Sequence, residues 1–512
     1  MSKLWLIKST GVIGAATAIS RILGFARDII IAGLFGTSVE AQAFVVAFRI
    51  PNSLRDLVGE GAMNAAIVPV LTEYRTLKDE KEFLRVSRVL FNVSVVILLS
   101  LTVLGIIFSP LIVKVIAPGF ISDPYKFDLT VKLNKLIFPY LVLIGLTAYS
   151  MGLLNALRHF AAPAFGPCLL NISLIAAGLW LCPKIGVMGL AIGALVGGAL
   201  QLLLNIPVIY RKGLSFSFKD GFFHPAVGRI GKLLMPRALG SAVYQMNIFV
   251  DTILASLASI VGQGGVAALY YANRLIQFPM AIFGLALAQA ALPKMSGEFA
   301  VNDIAKFKET LSFSLRVVFL IMLPASFGLG ILGDRIVSML FERGEFTAYS
   351  TAITQSALFF YSFGLFAYSG IKLLVSSFYS MHDTMTPVKT AFFSVILNII
   401  LNLILMRPLK LGGLALATSI SATFNFLILY VLLRRRIGSL DTRRTAESFI
   451  RILLTSAIMG IVLKILLRAR LTDSPLGLLS CIASGIFVFI AIGYALGVRE
   501  LKDSLTWITR RR

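Results

Sequence analysis

Apolar runs of roughly 20 residues, each the length a helix needs to cross a bilayer, recur along the whole chain with short polar segments between them. The pattern predicts fourteen such helices, near 10–36, 39–72, 86–117, 131–157, 165–182, 186–209, 233–260, 264–293, 311–340, 350–380, 386–406, 412–433, 447–467 and 475–497. The first run does not read as a cleaved leader. It continues past its short basic start (Lys3, Lys8) into a long stretch that carries Arg21, Arg27 and Asp28.

Composition strengthens this reading and excludes others. Of 512 residues, 57% are hydrophobic and 14% charged, whereas soluble domains carry roughly 25% charged residues. An ordinary soluble enzyme is therefore excluded. The 48 Lys+Arg against 24 Asp+Glu give a formal net charge of +24, which in a membrane chain reports orientation rather than nucleic-acid binding. With the N-terminus inside, roughly 27 Lys/Arg fall on cytoplasmic segments against about 10 outside, so both termini are expected in the cytoplasm. Cys168, Cys182 and Cys481 are widely spaced and read as packing residues; with His159, His224 and His382 they offer no metal-ligand spacing.

The chain resembles itself at a shift near 224 residues. Asp28–Leu34 matches Asp251–Leu257, Ala47–Ile50 matches Ala272–Leu275, and Ala65–Pro69 matches Ala290–Pro293. Ala148–Ser150 matches Ala367–Ser369, and Gly189–Ala191 matches Gly413–Ala415, all in order. Six spans per copy is an even number, so both copies enter the membrane from one side and are related by an axis along the membrane normal. The expected fold class is thus an all-α polytopic membrane protein. A six-helix lobe (1–220), a second six-helix lobe (221–440), and two further helices with a basic tail (441–512) make it up. Two lobes rocking about a central cavity are a design for alternating access.

Charges inside the predicted spans carry the chemistry. The first span has Arg21, Arg27 and Asp28; the second has Arg49, Arg55, Asp56 and Glu60; the eighth has Arg274. Four arginines facing lipid would cost on the order of 10 to 14 kcal/mol, so they must face a wet cavity or a partner. Arg21 and Asp28, two turns apart, share a helix face, and Pro51 is expected to kink the second span. The first two spans hold four Arg against three acids, and a net positive cavity wants an anion. Arginine's planar fork suits phosphate oxygens, and a lipid diphosphate would fit. Asp251 in the seventh span and Asp383 at the start of the eleventh are candidates for a cation or proton, or for partners of Lys372 or Arg237.

At these residues the sequence resembles the MurJ (MviN) family of lipid II flippases, within the multidrug/oligosaccharidyl-lipid/polysaccharide exporter superfamily. The likeness runs through Ser20–Asp28 (SRILGFARD), Pro51–Arg55 (PNSLR), Glu60–Ala62, Tyr270–Leu275 (YYANRL), Phe278–Pro279 and Phe378–Pro387 (FYSMHDTMTP), and covers essentially the whole chain. The resemblance implies a transporter, not an enzyme, in the bacterial cytoplasmic membrane. It would move the undecaprenyl-diphosphate-linked peptidoglycan precursor (lipid II) from the inner to the outer leaflet for cell-wall synthesis, alongside the cell-wall machinery. By the same resemblance Arg21, Arg27, Arg55 and Arg274 hold the diphosphate, Asp28 and Glu60 are cavity acids, and spans 13 and 14 flank a groove for the polyprenyl tail. Gln42 and Asn273 stand where relatives often carry Asp.

Replacing Arg27 with Ala is expected to abolish transport and leave the protein folded. No cofactor is implied. The carrier's return is open to two drives, movement of arginine charge in the membrane potential and a coupling cation (Na+ or H+) at Asp251. A flippase for another polyprenyl-diphosphate glycan stays open as an alternative. A cation-coupled drug antiporter of the same superfamily would need acids where this chain has arginines. A polytopic glycosyltransferase would need acidic residues on a large outer loop, and segments such as Ala117–Leu129 are short. The basic loop signature of major-facilitator transporters is missing from Tyr74–Arg88.

Overall fold

The structure is a computed structural model that describes residues 3–55, 64–215, 217–469 and 474–501, and among these every regular element is a helix. The chain divides into two compact units, Met1–Leu257 with Arg343–Glu345, and Ala258–Glu342 with Phe346–Arg512.

The first unit contains α1 (Lys3–Phe35), α2 (Val39–Arg55), α3 (Asn64–Leu77), α4 (Glu80–Ile107) and α5 (Ser109–Ile116). It continues with α6 (Pro124–Ile137), α7 (Tyr140–Ala156), α8 (Ala161–Trp180), the single turn α9 (Cys182–Ile185), α10 (Met188–Arg211) and α11 (Pro225–Ala255). Its tightest packing joins α8 to α10 through small residues. A Cβ at Gly193 would lie 2.5 Å from Ala177 Cβ, and one at Gly197 would lie 2.8 Å from Leu170 Cδ1. In lipid there is no hydrophobic force between helices, so such close backbone approach supplies the association. Around this seam Ile31, Phe44, Leu133, Tyr140, Leu174 and Leu190 form a shared core.

Gly119, in the turn after α5, donates its N–H to Ser256 Oγ at 3.0 Å, and a Cβ there would meet Ser256 O at 2.0 Å. Only glycine fits this approach, which fastens the far end of α11 to the first unit. By packing α11 belongs with the first unit, whereas the sequence duplication begins its second copy near 221; these are two different divisions of the chain.

The second unit contains α12 (Ala258–Val261), α13 (Gly265–Pro279), a π turn over Met280–Gly284 and α14 (Leu285–Ala300). Then come α15 (Ile304–Phe341), α16 (Ala348–Ser362), α17 (Leu365–Ser380), α18 (Met385–Ile437), α19 (Thr442–Arg468) and α20 (Pro475–Ala495). The π turn follows Pro279, whose missing N–H interrupts the regular bonding. Inside α18, Lys410 has non-helical φ 51° and ψ −128°, which breaks the helix into two arms. The sharpness of the break needs Gly413, where a Cβ would lie 2.2 Å from Leu405 O. Gly189, its counterpart in the duplication, lies similarly close to the backbone of Cys182, at 2.8 Å from its nitrogen.

Among the described residues nine helices or continuous helix pairs are long and apolar enough to cross a membrane, and the pair α16–α17, bent by 49°, makes up to ten. The protein is a multi-pass membrane protein. Lengths of 33 residues for α1 and 31 for α11 would also reach across, at 1.5 Å per residue, but both carry internal charges. The free cysteines Cys168, Cys182 and Cys481 are all buried, as packing residues are.

The last two helices join the second unit through Phe449, whose ring stands edge-on to Phe319 at 5.1 Å and to Phe366 at 5.6 Å. A buried ion pair reinforces them. Arg316 Nε on α15 lies 2.7 Å from Glu500 Oε1, beyond α20, with both side chains 6% exposed. Arg316 also donates to Ser312 Oγ, and Arg451 donates to Gly497 O at 2.9 Å. Replacing Glu500 with Ala would leave the buried Arg316 guanidinium without the carboxylate it pairs with. A loss of about 3 to 5 kcal/mol is expected, measured as a lower unfolding midpoint of the detergent-purified protein.

Candidate substrate-binding site

The charged motif of the first helix folds onto itself and onto α8. Arg27 and Asp28 are buried, 8% and 2% exposed. Arg27 donates to Asp28 Oδ1 from Nη2 at 2.7 Å and from Nε at 3.0 Å. Its remaining fork atom, Nη1, donates to Asn171 Oδ1 at 3.0 Å. The Asn171 amide in turn donates to Ser20 O at 2.9 Å, and the flat face that admits Asn171 is Gly24, where even a Cβ would meet it only at 3.5 Å. Ser20, Arg27 and Asp28 of the motif thus each have a physical task, whereas the space beside Gly24 would also admit a Cβ in ordinary contact. A desolvated ion pair persists only when its remaining polar atoms are hydrogen-bonded, and Asn171 does that here.

Arg21 differs. It is exposed, forms no ion pair among the described residues, and stands two turns before Asp28 along α1. Arg49, half-buried on α2, donates to the Thr252 hydroxyl of α11, beside Asp251. The helix α2 continues through Pro51 to Arg55. The side chain of Arg55, and Asp56 and Glu60 altogether, lie outside the described residues.

In the second unit Arg274 of α13 is half-buried against its own helix. Its Nη2 donates to Tyr270 Oη at 3.1 Å, its Nη1 to Gln277 Oε1 at 3.4 Å, and the guanidinium lies 4.9 Å from the Tyr270 ring. Such a contact holds the cation's direction without cancelling its charge. Asn273 accepts from Gln277 Nε2 at 2.6 Å. In the first unit Gln42 accepts from the buried Lys126 ammonium at 3.0 Å, and that ammonium lies 4.0 Å from the Phe120 ring.

Asp251 is half-buried on α11. Asp383 caps the start of α18: its Oδ1 accepts from the Met385 and Thr386 amides, and its Oδ2 accepts from the Thr386 hydroxyl and from Arg436. Burial alone would raise the Asp383 carboxyl, but the bonds from Thr386 and Arg436 outweigh it and hold the group below the ordinary aspartate range. Among the described residues no group of three His, Cys, Asp or Glu could hold a metal ion.

Sequence reasoning missed Asn171, Thr252, Tyr270 and Lys126. Tyr270 was within reach, since it lies one turn from Arg274 on the same face. Asn171 stands 144 residues from Arg27, and nothing in the chain's local pattern points to it.

A family model for "Lipid II flippase MurJ" matches residues 31–480. The chain belongs to the lipid II flippase MurJ family. A relative from Vibrio cholerae named "Probable lipid II flippase MurJ" is 35% identical over 515 residues, covering 97% of each chain. A solved structure described as "Lipid II flippase MurJ, inward closed conformation" superposes with a TM-score of 0.82 at 29% identity, covering 95% of this chain and 98% of the other. An inward-facing MATE-family transporter of the MOP superfamily gives a TM-score of 0.71 at 14% identity, with 84% and 99% coverage, which is a likeness of fold. Membership in the MurJ family makes the protein a transporter rather than a catalyst.

Proposed function

We propose that this chain carries lipid II, the undecaprenyl-diphosphate-linked peptidoglycan precursor, from the inner to the outer leaflet of the bacterial cytoplasmic membrane by alternating access. The observation that carries the reading is Arg21: a guanidinium within a membrane helix, exposed and without an ion pair among the described residues, next to a buried pair that fixes the helix around it. Arg274, oriented by Tyr270 and Gln277, supports it, and Arg27 and Arg55 complete the diphosphate ligands, with Asp28 and Glu60 as cavity acids. In this reading α18 makes two passes about Lys410, and α1, α11 and α2 with α3 make one each. That gives fourteen passes with both termini in the cytoplasm, arranged as lobes 1–220 and 221–440 followed by 441–512. The matched turns at Gly189 and Gly413 support the duplication. Any coupling cation, Na+ or H+, is assigned in this reading to Asp251 or Asp383, the second of which also caps α18 and pairs with Arg436. The membrane potential adds about 2.3 kcal/mol per charge per 100 mV.

Depleting the protein in growing cells and measuring the leaflet distribution of lipid-linked peptidoglycan precursor tests the proposal. Accumulation on the cytoplasmic side is expected. An unchanged distribution, with a different polyprenyl-diphosphate glycan accumulating instead, would reassign the cargo.

A further inference from the structure

A groove of about 370 Å³ in the second unit is lined by the two arms of α18 and by Phe378 of α17. On the first arm Lys389 and Phe393 are one turn apart; on the second, Ile428, Leu432 and Arg436 follow at four-residue spacing, so each set shares one face. The break at Lys410 folds the second arm back along the first, and the Arg436–Asp383 pair ties the end of α18 to its start. Both cations therefore stand at one end of the groove, with apolar side chains leading away from them on both walls. Lys389 is exposed and forms no ion pair among the described residues. Phe393 is 60% exposed. Asp383, the carboxylate paired at this end among the described residues, already accepts from Arg436, while Arg434 and Arg435 add exposed positive charge on the same last turn.

We propose that this groove binds an anionic phospholipid of the surrounding bilayer, its phosphate against Lys389 and Arg436 and an acyl chain along Phe393, Ile428 and Leu432. Charge and shape both select that occupant. A zwitterionic lipid would match the apolar walls and gain little from the surplus cations, and a soluble anion would leave the aromatic and aliphatic wall uncovered. Basic pockets between membrane helices are sites where acidic headgroups gather. Phe393 would contribute area to the chain rather than to the headgroup, and Asp383 would act only by holding Arg436 in place.

The test uses the delipidated full chain in detergent, with bound lipid counted by native mass spectrometry after titration with phosphatidylglycerol or phosphatidylcholine. Phosphatidylglycerol is expected to be retained in preference. K389Q is expected to weaken its binding about fivefold with K389R close to the parent, and F393A is expected to weaken both lipids alike. Equal retention of the two lipids, or unchanged phosphatidylglycerol affinity in K389Q, would overturn the assignment. Displacement of phosphatidylglycerol by equimolar undecaprenyl diphosphate would also overturn it, giving the groove to a carrier lipid. If K389Q does not elute as a single species, F393A decides: unchanged retention in that variant overturns the proposal.

Discussion

Arg27→Ala is expected to lower the stability of the first unit by about 3 to 5 kcal/mol, because it removes one partner of a buried ion pair and leaves Asp28 buried without its guanidinium. From sequence alone the same substitution reads as harmless to folding, since a cavity arginine has water to replace it. The buried pair reverses that expectation. The informative experiment is a cycle of R27A, D28N and the double variant, followed by chemical unfolding in detergent. The double variant should recover most of the loss, since it removes the carboxylate left without its guanidinium. Its transport then separates two roles. Full flipping by the stable double variant would make Arg27 a brace for α1, and stable protein without flipping would make it a ligand of the diphosphate.

Arg21→Ala should show the opposite profile. With the side chain exposed, its loss is expected to change stability by no more than about 0.5 kcal/mol. A hydrogen bond to a charged group is worth about 1.5 to 3 kcal/mol, so flipping in reconstituted vesicles should fall roughly 10- to 150-fold. Arg21→Lys should recover only part of it, because a point charge cannot grip two phosphate oxygens as a planar fork does. Wild-type transport by R21A would remove the diphosphate reading at its strongest residue.

Much of the architecture was legible in the chain. Twenty-residue apolar runs announce membrane helices because lipid forces every backbone polar group into internal bonding. The duplication paired Gly189 with Gly413, but that a Cβ at either would press on backbone was visible only in the structure. The charged residues of the first span were legible as a group, but their division of labour was not. Whether a guanidinium meets a carboxylate or water depends on Asn171, brought in by α8 from far along the sequence. Spacing put Arg21 and Asp28 on one face and gave no sign that Arg27 would bend around to claim that acid. Asp383 shows the same limit. Its place at the mouth of a span was legible, but its bonds to the following turn and to Arg436 were not.

The Arg316–Glu500 pair bears on how the molecule is made. Its two halves are separated by about 180 residues of synthesis, some ten to forty seconds at ordinary translation rates. For that interval Arg316 of α15 is without its Glu500 partner. Until Glu500 has been made, the second unit lacks this buried pair, so the segment beyond α20 cannot be locked against α15 any earlier.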